Sequence, residues 1–193
     1  MGAPALRFAI LTGARSGEVR GMRWREVDTA AGVWAVPAGR MKMRELHLVP
    51  LSGAALDMLA ARRPEPCDGD ALVFPGARAG AELSDMTLSA VVRRMNAAPK
   101  DGRPRWGDAA GHAVVPHGFR ASFKSWTLAT GWPDHLSEKA LAHKDNNEAR
   151  AAYAREPLTE ERRPMMEAWA TLCTRQPATV ASLDAARAAR VAG

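Results

Sequence analysis

Apolar positions along this chain recur mostly at helical spacing, broken in the first quarter by a short stretch that alternates. Residues 5–11 are apolar apart from Arg7 and predict a short helix stopped at Thr12-Gly13. Ser16 is placed to cap a second helix carrying Glu18, Val19, Met22 and Trp24. Val27 and then residues 33–36 predict two short strands turning at Ala30-Ala31-Gly32. Pro37-Ala38-Gly39 opens a loop holding Lys42, and residues 46–49 supply a third strand. There Leu46 and Leu48 alternate with His47 and Val49, which predicts one apolar face.

The rest of the chain reads as helices. Ser52 is a good N-cap for a helix over 53–62, with Leu56, Leu59 and Ala60 on one face. Ser84 caps another that runs to Met95 and turns Leu88, Val91 and Val92 inward. Residues 97–116 are polar, Gly-rich and irregular, a long loop. From about Pro116, Phe119, Phe123, Trp126 and Thr127 recur at helical spacing until Gly131. Pro133 opens a further segment through Leu136, Ala140 and Leu141 to His143. A short helix from Glu148 presents Tyr153. Thr159 caps a helix over 160–174 whose apolar stripe is Met165, Met166, Trp169 and Leu172, and residues 182–191 form a last small helix. The pattern contains no internal repeat and no second domain. It predicts an α+β fold, mainly helical, with a small three-stranded antiparallel sheet.

Composition narrows the class. The 193 residues are 47% hydrophobic, enough for one domain with a real core and too apolar for a disordered tail. The formal charge is +6, and the first fifty residues hold eight basic against four acidic side chains. Such a surplus suits a phosphate backbone, an anionic membrane or a protein partner alike. Cys67 and Cys173 are the only cysteines, which excludes a disulfide framework or a four-cysteine zinc site and fits reduced thiols in the cytoplasm. No apolar run approaches the roughly 18 residues of a membrane span. No charged leader precedes an apolar stretch, so no secretion is expected.

Opening a phosphodiester calls for cationic donors around the phosphoryl oxygens, a nucleophile, and a proton source for the leaving oxygen. Arg15, Lys42, His117, Arg120, His143 and Tyr153 form such a set. Arg15 sits in a tight turn between Gly13 and Gly17, a place for a fixed guanidinium fork, with Glu18 three residues on to hold it. His117 and Arg120 share a face at a predicted helix start, where free backbone N–H groups favour an anion. Each residue alone has a plainer reading: a surface arginine, a solvated hairpin lysine, a capping histidine, a tyrosine that only packs.

Their order is more specific. The chain resembles the phage-integrase family of tyrosine recombinases, in particular the C-terminal catalytic domain, over roughly residues 5–175. LTGARSGEVRGMRW resembles the first family box and assigns its arginine to Arg15, supported by Glu18. GRMKMRELHLVPLS places the family lysine at Lys42; HGFRASFKSW supplies His117 and Arg120; LAHKDNNEARAAYAR supplies His143 and the nucleophile Tyr153.

The resemblance implies the DNA breaking–rejoining fold and strand exchange through a 3′-phosphotyrosyl intermediate, with neither metal nor ATP as cofactor. It implies that Arg15 and Arg120 hold the non-bridging oxygens and Lys42 is the general acid. His117 moves the nucleophile's proton and His143 hydrogen-bonds the phosphate. Arg40, Arg44, Lys124 and Lys144 are further cations expected at DNA. The expected partner is double-stranded DNA, bound as a tetramer by a chain that is monomeric when free. The expected limits are a catalytic domain over 1–177, clipped at its start, and an Ala/Arg-rich tail over 178–193. The family's N-terminal core-binding domain is expected to be absent, with a partner expected to supply that clamp. Two alternatives share the fold: a catalytically idle DNA-binding remnant or regulator, and a type IB topoisomerase-like enzyme. His47 is expected to be structural, and Trp126 and Trp169 to be core.

Overall fold

The computed structural model describes residues 1–97, 106–107, 111–143 and 157–175. Helix α1 (Gly2–Thr12) leads into the short α2 (Ser16–Arg20). Strands β1 (Val27–Asp28), β2 (Val33–Val36) and β3 (His47–Pro50) then form an antiparallel sheet in the order β1-β2-β3. Helices α3 (Gly53–Ala60), α4 (Thr87–Met95), α5 (Gly118–Ala129), α6 (Asp134–Ala140) and α7 (Thr159–Thr174) follow. The fold is thus the mainly helical α+β arrangement with a three-stranded sheet that the pattern predicts. The segments expected around Glu148–Tyr153 and over 182–191 lie outside the described residues.

The sheet is set by local chemistry. Gly32 turns the chain at φ 61, where a side chain is strained, and Asp28 Oδ1 accepts the Ala31 N–H at 2.8 Å. The resulting register pairs Trp34 with Val27 on one side and with Val49 on the other, and Val36 with His47. Trp34, Val36, Val49 and His47 are buried, whereas Leu46 is 63% exposed. The apolar face expected from Leu46 and Leu48 is therefore corrected: β3 turns the alternate set inward, because the Trp34 pairing brings Val49 and His47 over the core.

Two clusters of side chains make the interior. Phe8 and Leu11 of α1 pack with Trp34, Leu59, Phe74 and Leu88; the Phe8 ring meets Trp34 edge-on at 5.4 Å. Phe123, Leu136, Leu141, Met165, Met166 and Trp169 join α5, α6 and α7. Ile10 touches both clusters, and its carbonyl accepts the Trp169 indole N–H at 2.7 Å. Helix α1 packs against α2, α3, α4 and α7, so it is the axle on which both halves are mounted.

Several helix details differ from expectation for reasons visible in the contacts. Arg15, not Ser16, occupies the N-cap of α2, because the Glu18 carboxylate reaches back to the Arg15 N–H at 2.8 Å. Helix α3 ends at Ala60 and buries Ala55, Met58 and Leu59, with Ala60 exposed. Ser52 does cap it, accepting from Ala55 N at 3.4 Å. Thr87 starts α4, and Ser84 hydrogen-bonds its hydroxyl instead of capping. Leu158, at φ 48, precedes α7, while the Thr159 hydroxyl is buried without a hydrogen-bond partner. Leu172 is 47% exposed and outside the α7 stripe, which Met165, Met166 and Trp169 form. Trp126 is half-buried, ringed by Phe123, Trp132 and Trp169.

Candidate active site

The site begins at the end of α1. Gly13 adopts φ 65 and lets the chain reverse into α2, which leaves the Gly13 carbonyl facing α5. Arg15 follows at once. Its Nη1 donates to Glu18 Oε1 at 2.8 Å while the other Glu18 oxygen takes the Arg15 N–H, so one carboxylate holds both ends of the residue. Glu18 is only 3% exposed, and burial among fixed donors makes it a rigid brace. Arg15 Nη2 reaches across to the Ala142 carbonyl at 3.3 Å.

Arg120 comes up from the first turn of α5 and is buried. Its Nη1 donates to the Gly13 carbonyl and its Nη2 to the Leu141 carbonyl at 2.6 Å. Burial pushes its pKa down to about 10, the neighbouring Arg15 cation pushes the same way, and Glu18 opposes them. Two guanidinium groups thus sit close together beside the buried Glu18 carboxylate, to which Arg15 is hydrogen-bonded. An anion beside them would relieve that excess of positive charge.

These groups open onto a cleft of about 440 Å³. Arg15, Glu18, Lys42, His117 and Arg120 all line it, with Arg40 and Met41 on the β2–β3 side. Six of the residues singled out by sequence, Arg40 among them, therefore share one cavity. Lys42 and His117 are exposed side chains at its mouth. Arg44 is exposed at the tip of the same β2–β3 loop, with φ 53, and does not line the cleft.

The turn after α6 carries His143. Ala142 adopts φ 47, and the His143 N–H closes the helix by donating to the Glu138 carbonyl at 3.0 Å. The successive carbonyls of Leu141 and Ala142 receive Arg120 and Arg15, so the two arginines pin this turn as well as facing the cleft. His143 Nδ1 pairs with Glu138 Oε2 at 2.8 Å. Burial disfavours the Glu138 charge, but hydrogen bonds from Lys124 and His143 hold its carboxyl below the usual range. Lys124 donates to Asp134 at 2.6 Å, to Ser137 at 2.8 Å and to Glu138. Its ammonium is occupied in joining α5 to α6. Tyr153 and Lys144 lie outside the described residues.

Some functional features had no sequence signal. Nothing in the pattern marks the carbonyls of Gly13, Leu141 and Ala142 as acceptors for the arginines. The pairing of Arg40 with buried Glu26, which also accepts the Trp34 indole N–H at 3.1 Å, was equally hidden. So was Arg162, 1% exposed on α7, which donates to the Leu48 carbonyl of β3 at 2.6 Å. His47 sits beside it and faces the Ala140 carbonyl; burial, and then the Arg162 charge, lower its pKa to about 4. Among the described residues no helix is long and apolar enough to cross a membrane, and no three His, Cys, Asp or Glu side chains cluster as metal ligands do.

Known proteins are similar to this chain in sequence and in fold. The chain matches the phage integrase family over residues 3–160. It is 36% identical over 166 residues to the prophage integrase IntA of Escherichia coli (strain K12), covering 86% of this chain and 37% of that protein. It is 33% identical over 181 residues to the integrase of Enterobacteria phage P4, again over 86% of this chain and 38% of the relative. The chain thus spans less than two-fifths of the length of these curated relatives. Among solved structures, the integrase from mycobacterium phage Brujita superposes with a TM-score of 0.59 at 18% identity, over 92% of this chain and 54% of that one. The Tn1549 transposon integrase in complex with transposon right end DNA gives 0.54 at 14% identity, over 98% and 58%. These two likenesses establish the shared fold, while the family match and the sequence identities establish descent: the chain belongs to the phage integrase family of tyrosine recombinases.

Proposed function

We propose that this chain is the strand-cleaving and rejoining unit of a site-specific DNA recombinase, with Tyr153 as its nucleophile. The observation that carries the reading is the convergence of Arg15 and Arg120, from distant stretches of sequence, on one cleft that also holds Lys42 and His117. That the Tn1549 integrase of the same fold is solved with DNA supports duplex DNA as the partner.

In this reading a scissile phosphate enters the cleft and takes the place of solvent between the two guanidinium groups, whose planar forks match its non-bridging oxygens. Because Arg15 and Arg120 are already tied to Glu18, Gly13 and the turn at Leu141–Ala142, they need little reorganisation as charge builds on phosphorus. The Tyr153 oxygen attacks phosphorus and its phenolic proton passes to His117. The bond from phosphorus to the 5′ oxygen breaks, and that oxygen takes a proton from the Lys42 ammonium. A 3′-phosphotyrosyl link and a free 5′-hydroxyl remain. His143, oriented through Nδ1 by Glu138, hydrogen-bonds the phosphate. A 5′-hydroxyl from a partner strand then attacks the link, gives its proton to Lys42, and releases Tyr153, which recovers its own from His117. One phosphodiester replaces another, so no ATP is consumed. Arg44 and Lys144 are assigned to flanking phosphates. Because Lys124 pairs with Asp134 and Glu138, and Arg40 with Glu26, neither is assigned a phosphate in this reading. Synapsis of two duplexes places four copies on DNA, from a chain that is monomeric when free.

A duplex nicked beside the cleavage point tests this. Wild-type protein is expected to form a covalent adduct that is absent in Tyr153→Phe and reduced at least about a hundredfold in Arg15→Ala. Retarded DNA without an adduct would identify a binding module that has kept the fold and lost turnover. Relaxation of supercoiled DNA without strand exchange would identify a topoisomerase.

A further inference from the structure

Lys42 is exposed and stands on a loop, yet a general acid must be held within hydrogen-bond reach of one oxygen. The stem of that loop supplies the restraint. Pro37 leads into a single 3-10 turn over Ala38–Arg40, closed by Arg40 N to Pro37 O at 3.0 Å and Met41 N to Ala38 O at 3.1 Å. Met41 is then plugged into the core at 5% exposure. Arg40 turns the other way. Its Nη2 pairs with Glu26, a carboxylate 9% exposed and braced by the fully buried Trp34. Its stem lies on Gly21, where a Cβ would stand 2.9 Å from Arg40 Cδ. Lys42 follows these two anchors directly.

A wish for stability does not explain the pair. Partly burying an arginine on a buried glutamate recovers little net free energy, and Arg40 Nε and Nη1 are buried without hydrogen-bond partners. Neither residue was needed for the phosphate grip described above. We propose that Arg40, clamped by Glu26 over Gly21, is a positioning residue that holds the Lys42 loop at the cleft for proton transfer to the leaving oxygen. This rests on Lys42 being the general acid, and the test separates the two.

Cleavage is measured in single turnovers on two otherwise identical nicked duplexes, one with the ordinary bridging 5′ oxygen and one with sulfur there. A thiolate leaves without a proton, because thiols ionise near pH 8.5. Lys42→Ala is expected to be slowed about a hundredfold on the oxygen duplex and little on the sulfur one. Glu26→Gln, which keeps an acceptor for Trp34, and Gly21→Ala, which pushes Arg40 aside without changing charge, are expected to be slowed about tenfold on oxygen and less than about twofold on sulfur. Both should bind DNA as wild type does, and both should exchange the Met41 and Arg44 amide protons at least about tenfold faster. Equal slowing on both duplexes, a loss of DNA affinity, or unchanged amide exchange would overturn the proposal. If Lys42→Ala itself is slowed equally on both, the general-acid reading fails instead, and the exchange data alone decide whether Arg40 anchors the loop.

Discussion

Arg120 shows how a single buried cation can serve two ends. Burial, and then the neighbouring Arg15 cation, lower its pKa to about 10, which costs the charged form on the order of 3 kcal/mol. Bonds from a charged donor to two main-chain carbonyls return about 1.5–3 kcal/mol each. Together they return about 3–6 kcal/mol against that cost, so the net contribution to stability is small for so many buried contacts. Arg120→Met is therefore expected to shift the urea unfolding free energy by less than about 2 kcal/mol while adduct formation disappears. Ala142 makes the opposite case. Its φ of 47 is strained for any residue with a Cβ, at roughly 1–2 kcal/mol, while glycine loses about 0.5–1 kcal/mol of chain entropy. Ala142→Gly is expected to raise stability by about 0.5 kcal/mol in denaturant titrations, and a loss of stability would show that the methyl group's packing outweighs the strain.

At the scale of elements, β3 is the hinge between the sheet and the two helices that follow the cleft. It is an edge strand, and Arg162 of α7 takes the Leu48 carbonyl while His47 faces the end of α6. Burial, reinforced by Arg162, lowers His47 to about pKa 4 from 6.5. The folded state therefore binds fewer protons than the unfolded state between those values. The stability this confers is fully present above pH 6.5 and is lost as the pH falls towards 4, on the order of 3 kcal/mol in all. Unfolding midpoints measured from pH 7 to pH 4 should fall more steeply for wild type than for His47→Gln, which cannot take up that proton. Parallel slopes would mean that carboxylates alone govern the acid limb. Because β3, α6 and α7 are tied at this point, acid should also loosen the turn that carries His143.

On the scale of the whole molecule, the cleft lies among α1, α2, the β2–β3 loop, α4 and the start of α5, while Ile10 is shared between the two hydrophobic clusters. That placement backs the cations with a packed interior and leaves Lys42 and His117 at the open side. The phosphate grip proposed for this cleft would be electrostatic and limited in area. The 193-residue chain alone is expected to bind duplex DNA weakly, with affinity falling linearly in the logarithm of salt concentration. A fluorescence titration that gives nanomolar binding at physiological salt would contradict this.

Much of this was legible in the amino-acid order. The helical spacing of Phe119, Phe123 and Thr127, the Gly32 turn and the core residues Leu88, Val91 and Val92 are local properties, written within a few positions of one another. The order of Arg15, Lys42, His117, Arg120, His143 and Tyr153 already pointed to phosphoryl chemistry. What periodicity does not carry is the choice of partner across the chain. Arg120 meets a carbonyl 107 positions away, Arg15 one 127 away, and Arg162 one 114 away. The inward face of β3 likewise follows from its pairing with Trp34, and the engagement of Arg40 and Lys124 from carboxylates on other elements. Local sterics and hydrophobic spacing determine elements because they act between near neighbours. Which charge is spent inside and which is left for a ligand is decided only when packing brings distant segments within hydrogen-bond reach.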